Sequence, residues 1–212
     1  MLTRGCKQMQ SLHILGSFKD EMPARRMLDD LQHYDYRLVP INPKFFGQVL
    51  SNSIVRLELD TTQPIDTIVC FLGPESVKKV LSKLMFAKLV KYPKIWLQPG
   101  AENDEVIEVI ENMGFEYSKG ICIVESIIEN EVRIDSKPDD RFYRQHMDLV
   151  SKCSVFENFT TEEARSEVAA QEVEWCGDIL DLSNSDHIIP RYIRSLNTGE
   201  ETLEELAFRL CK

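Results

Sequence analysis

The amino-acid sequence predicts a doubly wound α/β fold, with a mainly parallel sheet of five or six strands and a mostly helical C-terminal extension. Short apolar runs alternate with amphipathic helical segments over residues 11–128, as in parallel sheets covered on both faces. Each apolar run ends in a turn that contains glycine or proline. Beyond this region the character of the chain changes, and residues 129–212 are interpreted as a charged linker and a mostly helical extension. Residues 1–10 are interpreted as an N-terminal tail.

The first elements of the predicted sheet are strand, helix and strand. Leu12-His13-Ile14-Leu15 is a short apolar run that stops at Gly16-Ser17, which indicates a buried strand and a tight turn. Pro23 opens a predicted helix over residues 24–33, because proline is tolerated where the first helical N–H groups have no partner. A second strand is expected at Tyr36–Ile41.

The rest of this region continues the alternation. We predict an extended piece at residues 54–59, a strand at 67–72, a helix at 75–90, a strand at Lys94–Leu97, a helix at 104–113 and a short strand at 120–124. Asn103 is a plausible N-cap for the last helix, and Gly114 suits the position just past its end.

The C-terminal extension begins with a charged linker, residues 135–141. Thr160 and Glu163 form the pattern of a capping box, which predicts a helix over residues 163–176. A further helix is expected at residues 201–211. The extension is small and polar for a core of its own, so we expect it to pack on the first region or on a second copy, as a homodimer.

Composition excludes several classes of partner. The formal net charge of −10 argues against a nucleic-acid partner, which a basic face would attract. No run of about 18 apolar residues occurs, so no membrane span is expected. No apolar stretch follows the first ten residues, so no secretory signal is expected. The six cysteines are scattered without C-x-x-C or zinc-type spacing, which indicates reduced thiols and a cytoplasmic or nuclear location.

The predicted sheet suggests a nucleotide ligand at the carboxyl ends of its strands. Gly16-Ser17 is followed by a helix, so free amides and the helix dipole favour a phosphate there. A dinucleotide fingerprint is absent, and the second strand ends in Asn42-Pro43 with no acidic residue for a ribose diol, which disfavours NAD. NADP or coenzyme A remain, since their extra phosphate wants a cation such as Lys44.

Several motifs then occur in a fixed order. They are Ile14-Leu15-Gly16-Ser17, Pro23-Ala24-Arg25-Arg26, the run Tyr36-Arg37-Leu38-Val39-Pro40-Ile41-Asn42-Pro43, Ile65-Asp66-Thr67-Ile68, Pro74-Glu75, Trp96-Leu97-Gln98-Pro99-Gly100 and Gly120-Ile121-Cys122. This set resembles the coenzyme A-binding domain family, small Rossmann-like proteins related to the nucleotide-binding domain of succinyl-CoA synthetase α subunits. The chain departs from the family in a shorter loop after Gly16, in Gly73 where many relatives carry a basic residue, and in the loss of Asp-Arg before Cys122.

The resemblance implies a site for coenzyme A or an acyl-CoA. The pyrophosphate would lie at the first turn and helix, the adenosine at the end of the second strand, and the rest of the ligand against the ends of the next two strands. The implied cofactor-binding residues are Gly16, Ser17, Phe18, Lys19, Arg25, Arg26, Asn42, Pro43, Lys44, Phe71, Leu72, Gly73, Pro74, Gln98, Pro99, Gly100 and Cys122.

The sequence favours binding without catalysis. Cys122 could form a mixed disulfide with a coenzyme A thiol, although a buried, inert core cysteine is the preferred interpretation. His13 is interpreted as a satisfied buried group, and the histidines show no nucleophile–base or metal spacing. The expected function is a non-catalytic module that senses or carries coenzyme A or an acyl-CoA. The alternatives are an NADP- or other nucleotide-dependent enzyme, and a degenerate Rossmann domain that serves as a protein-interaction module.

Overall fold

A computed structural model describes residues 9–134, 141–164 and 172–211 of the chain. Within residues 9–134 a parallel sheet has the strand order β2-β1-β5-β6-β7. Its strands are β1 (Gln10–Leu15), β2 (Tyr36–Ile41), β5 (Thr67–Cys70), β6 (Lys94–Leu97) and β7 (Tyr117–Ser118). A two-stranded antiparallel hairpin, β3 (Val49–Leu50) and β4 (Ser53–Ile54), follows β2 and a short 3₁₀ turn at Pro43–Phe45.

Helices cover both faces of this sheet. They are α1 (Pro23–Leu31), α2 (Pro74–Phe86), α3 (Asp104–Asn112) and α4 (Ile123–Asn130). Leu15, Ile68 and Leu97 pack with α2 and α3 on one face, whereas Ile14 and Val69 pack with α1 and α4 on the other. The predicted doubly wound α/β fold with a five-stranded parallel sheet is therefore confirmed.

Two predicted elements of this region are wrong in detail. Residues 120–124 are not a strand: the sheet ends at β7, and α4 begins at Ile123. Helix α2 stops at Phe86 instead of continuing to residue 90, because the chain turns extended at Ala87, with φ −84° and ψ 144°. Helix α3 has the predicted Asn103 cap, whose side chain accepts from the Val106 N–H at 2.8 Å.

The extension combines a sheet with helices. In the described residues after 140, the antiparallel strands lie in the order β10-β8-β9, namely β8 (Phe142–Met147), β9 (Ser154–Phe159) and β10 (Val173–Gly177). They are followed by α5 (Ile179–Asn184), α6 (Ile188–Ser195) and α7 (Leu203–Leu210). The last helix was predicted, and the sheet was not.

The helix predicted over residues 163–176 is wrong at its C-terminal end, because Val173–Gly177 is strand β10. The capping box itself exists: the Glu163 N–H donates to Thr160 Oγ1 at 3.3 Å, and the Thr160 N–H donates to Glu163 Oε2 at 3.0 Å. The middle of that predicted helix, most of the charged linker and nearly all of the N-terminal tail lie outside the described residues.

The extension packs on the parallel-sheet region of the same chain. Phe46 and Ile54 from the hairpin region share an apolar cluster with Phe142, Phe159 and Val173. This is the first of the two arrangements expected from the sequence. The extension also has an apolar cluster of its own, which includes Tyr143, Trp175 and Leu206, so the expectation that it is too small and polar for a core is wrong.

A buried cluster of four charged side chains, which we call the arginine–aspartate cluster, joins the two regions. Arg37 on β2 contacts Asp178 at 2.8 Å and Asp181 at 2.8 Å. Arg56, paired by a β-bridge with Ile41, contacts Asp178 at 2.9 Å and Asp181 at 2.6 Å. Asp178 also caps the N-terminus of α5, so the residue that contacts the two arginines also stabilises the start of this helix.

Candidate functional site

A cleft of about 440 Å³ lies where the carboxyl ends of β1, β5 and β6 meet. Ligands of open parallel sheets bind at this edge. The strand-end cleft is lined by Ser17, Met22, Pro23, Ala24, Cys70, Phe71, Leu72, Gly73, Gln98, Pro99, Gly100, Ala101 and Cys122. The structure thus brings together eight of the predicted site residues, which the chain draws from the ends of three strands and from α4.

The turn after β1 is tightly packed against α1 and the end of β5. A Cβ atom at Gly16 would lie 2.8 Å from Ala24 Cβ and 2.8 Å from Phe71 Cβ, so only glycine fits between the strand and α1. Asn42 Nδ2 donates to the Gly16 carbonyl at 2.6 Å and fixes the turn from the neighbouring strand. In the described part of the chain, no acceptor is found for the backbone N–H groups of Ser17 and Phe18. They are free to face a ligand.

Three helix N-termini at the strand-end cleft lack side-chain caps. Helices α1, α2 and α4 begin after Met22, Gly73 and Cys122, and none of these residues makes a side-chain capping bond. All three line the cleft. Uncapped N-termini carry unpaired N–H groups and partial positive charge, so together they favour an anion.

Helix α3, at the same edge, is capped by Asn103, and the nearby Gly100 N–H donates to Glu102 Oε2 at 3.0 Å. This part of the edge is therefore already satisfied by side chains. An anion is favoured on the side of α1, α2 and α4, away from the Glu102 carboxylate.

Gln98 carries the clearest sign of a missing partner. Its side chain is 4% exposed and lines the strand-end cleft. Among the described residues its Nε2 is buried without any hydrogen-bond partner. Leaving such a donor unpaired costs about 1–3 kcal/mol, and a ligand acceptor would recover this energy.

Cys122 is half-buried in the strand-end cleft at the N-cap of α4, so its interpretation as a buried core cysteine is wrong. Cys70 also lines the cleft, but its burial raises the pKa of that thiol to about 12 and keeps it protonated. The five cysteines in the described residues are unpaired thiols.

The other predicted site residues lie outside the lining of the strand-end cleft. Phe18 is 2% exposed and packs edge-on against Phe45, so only its backbone could meet a ligand. Arg25 Nη1 donates to Ser51 Oγ at 3.1 Å and is directed toward the hairpin. Gly16 and Asn42 support the turn, and Pro74 opens α2, as described above. The exposed remainder are Lys19, Arg26, Pro43 and Lys44.

No lysine or arginine side chain lines the strand-end cleft in the part of the chain that the structure describes. Its positive potential therefore comes from backbone N–H groups. The sequence reasoning missed Met22, Pro23, Ala24, Cys70 and Ala101 as lining residues. The rule that ligands lie at strand ends and helix starts could have found them, because each is within three residues of such a boundary.

The fold and the strand-end cleft define a Rossmann-like α/β protein with a cleft at the carboxyl edge of its sheet. The family model described as CoA binding domain matches residues 10–126 of the chain. The chain belongs to this coenzyme A-binding domain family. Residues 127–212 lie outside the match.

Similar solved structures come from archaea and bacteria. A conserved hypothetical protein from Pyrococcus furiosus is 25% identical, covers 55% of this chain and 98% of its own, and has a TM-score of 0.49. A Thermus thermophilus protein is 24% identical, covers 57% of this chain and 90% of its own, and has a TM-score of 0.50. The second match agrees with the observed fold of the sheet region. No curated protein matches the chain.

The structure adds one finding on membranes: no helix in the described residues is long and apolar enough to cross a bilayer.

Proposed function

We propose that the chain binds coenzyme A or an acyl-CoA in the strand-end cleft and acts there as a binding module without catalysis. The observation that carries the proposal is the buried Nε2 of Gln98, for which no partner is found among the described residues at the edge where α1, α2 and α4 begin uncapped. Unpaired donors from four elements thus surround one cleft. The family membership supports coenzyme A as the ligand.

The diphosphate is proposed to lie over the turn at Ser17 and the first turn of α1. Anions at helix N-termini are held by the unpaired N–H groups and the helix dipole, which explains how a protein of net charge −10 could bind one. Gln98 would donate to an oxygen of the ligand from the opposite side of the cleft. Met22, Phe71 and Leu72 offer apolar contacts for the adenine or pantetheine.

The polar side chains of the strand-end cleft support the assignment of binding without catalysis. Within the described residues, the lining includes no histidine and no carboxylate, and so offers no general base. Its nucleophiles are Ser17, Cys70 and Cys122, and no activating partner accompanies them in the lining.

Ligand-induced thermal stabilisation tests the proposal with coenzyme A, acetyl-CoA, NADP, NAD and ATP. A ligand at about 100 times its Kd stabilises the fold by about 2.7 kcal/mol, which gives a clear shift in Tm. We expect a shift with coenzyme A or acetyl-CoA. A shift with NADP alone would favour a nucleotide-dependent enzyme, and no shift with any nucleotide would favour a protein-interaction module; either result contradicts the proposal.

Ser17→Glu locates the site. A carboxylate beside the free amides would repel the diphosphate, so we expect coenzyme A binding to weaken at least about tenfold, a loss of about 1.4 kcal/mol. Ser82→Glu is the matched control, because it adds the same charge on the exposed side of α2 and should leave binding unchanged. If Ser17→Glu binds as tightly as the wild type, the ligand does not lie at this turn.

A further inference from the structure

A second cavity, of about 560 Å³, lies where the parallel-sheet region meets the extension. We call it the interface cavity. Its walls come from β1, β2, the segment at residues 56–63, the end of α2, strand β10 and the start of α6. None of its lining residues lines the strand-end cleft. Its volume lies in the range of small-molecule sites, about 300–1,000 Å³.

Gln63, which lines the interface cavity, carries a buried acceptor that no described residue satisfies. Its Nε2 donates to Asp60 Oδ2 at 3.0 Å and to Asp181 Oδ1 at 3.1 Å. Two carboxylate partners fix the amide orientation, because only its nitrogen can donate to them. The Oε1 atom is left buried, with no partner in the described residues, on a side chain that is 5% exposed.

His13 contributes a second unpaired group and differs from the satisfied histidine expected from the sequence. It lines the same cavity, is 4% exposed, and its Nδ1 has no partner within the described ranges. Burial, together with the Arg37 charge, lowers the pKa of the imidazole to about 3, so the ring is neutral near pH 7. A neutral imidazole offers one donor and one acceptor.

The charges around the interface cavity disfavour an anionic ligand. The Arg56 guanidinium is engaged by Asp178 and Asp181, and Lys83 lies 3.6 Å from Glu58. Further carboxylates in the lining are those of Asp60, Glu174 and Asp186. An anion would meet these carboxylates without a free cation among the described lining residues to offset them.

The remaining walls are apolar and include Val39, Ile41, Phe46 and Trp175. Buried Trp and Phe side chains provide flat surfaces for a ring. We propose that the interface cavity binds an uncharged aromatic amide, whose N–H donates to Gln63 Oε1 while its ring packs on these walls. His13 provides a second hydrogen bond, and both unpaired buried groups are satisfied by the ligand.

Benzamide and benzoate form a matched pair of probes, equal in shape but different in charge and in the presence of an N–H donor. Two-dimensional ¹H–¹⁵N NMR of the full chain follows the side-chain amide of Gln63 and the indole of Trp175, with Trp96→Phe used to assign the indole signals. We expect saturable shifts with benzamide at concentrations up to about 20 mM, as suits a fragment of this size, and binding of benzoate at least about tenfold weaker.

Two variants locate the binding. Ala87→Trp would add a large side chain to the lining of the interface cavity, and Gln63→Leu would remove the acceptor; each should weaken benzamide binding about tenfold or more. Ala87→Ser is the matched control and should bind normally. Coenzyme A stabilisation should survive Ala87→Trp, since Ala87 is not part of the strand-end cleft lining.

The proposal is overturned if benzamide leaves both reporter signals unchanged, because the cavity then holds water only. It is equally overturned if benzoate binds as well as benzamide, or if Ala87→Trp binds benzamide like the wild type. Gln63→Leu also loses its bonds to Asp60 and Asp181, so Ala87→Trp decides the matter if the leucine variant unfolds.

Discussion

The strand-end cleft and the arginine–aspartate cluster both contain residues of the parallel-sheet region, but they differ in whether their polar groups are paired. The strand-end cleft presents unpaired backbone donors and no lysine or arginine side chain in its described lining. The arginine–aspartate cluster buries four charged side chains that satisfy one another at 2.6–2.9 Å. The comparison teaches that unpaired polar groups mark a place for a ligand, whereas fully paired charges mark a permanent internal contact.

Asp181→Ala should produce the largest loss of stability, because it removes one of the two carboxylates of the arginine–aspartate cluster. Asp181 is 4% exposed and contacts both arginines, which hold the pKa of its carboxyl far below the usual range. Its removal leaves two buried guanidinium groups underpaired and should destabilise the fold by about 3–5 kcal/mol, measured by urea unfolding.

Asp186→Ala is the matched control for that variant, because the Asp186 side chain is exposed and outside the arginine–aspartate cluster. We expect a change within about 0.5 kcal/mol. Equal losses in the two aspartate variants would show that the arginine–aspartate cluster does not hold the extension in place.

The second prediction concerns pH and tests the unpaired His13. Its pKa is lowered to about 3 in the folded chain and returns to about 6.5 on unfolding, so below pH 6.5 the unfolded chain binds a proton that the folded chain does not. Stability should therefore fall by about 2 kcal/mol between pH 7 and pH 5 from this residue alone. The low pKa of Asp181 adds its own loss only at more acidic pH, near the carboxyl range.

Urea unfolding at pH 7 and pH 5 checks this expectation. His13→Gln should remove most of the pH dependence in this window, whereas His33→Gln, at a half-buried histidine two residues past the end of α1, should retain it. A wild-type protein equally stable at both pH values would mean that His13 is protonated in the folded state.

The smallest expected effect is a change in coenzyme A affinity when a cation is added to the strand-end cleft. A Cβ atom at Gly73 would meet nothing within 4 Å, and Gly73 lines the strand-end cleft, so Gly73→Arg can add a cation there. We expect coenzyme A to bind a few-fold more tightly, a gain of about 0.5–1 kcal/mol, measured by titration calorimetry. Gly73→Ala is the control and should bind like the wild type. Weaker binding to the arginine variant would place the phosphates elsewhere.

The parallel-sheet region was largely predictable because its signals are local. A short apolar run predicts a strand, as at Lys94–Leu97. A proline or a Gly-Pro pair marks the start of a helix, as at Pro23 and Gly73-Pro74. Strand β7 was missed because it has two residues and follows no apolar run. Strand β10 was missed because Val173–Gly177 gains its extended form from pairing with β8, about 30 residues earlier in the chain.

The candidate sites divide in the same way. Gln98 and Ser17 could be placed at the strand-end cleft, because strand ends in a parallel sheet meet at one edge. The arginine–aspartate cluster could not, since Arg37 and Arg56 are more than 120 residues from Asp178 in sequence. Nor could the sequence show that Arg25 is directed toward Ser51 instead of a phosphate, because that choice depends on the hairpin.

The docking of the extension on Arg37 and Arg56 bears on how this protein can be shortened. The family match ends at residue 126, which invites a fragment that stops there. Such a fragment would leave two adjacent guanidinium groups and the apolar surface around Phe46 and Ile54 uncovered. The end of the family match is therefore not the end of the packed structure. If the shortened chain aggregates, the cause would be the loss of the extension and not a defect of the parallel sheet.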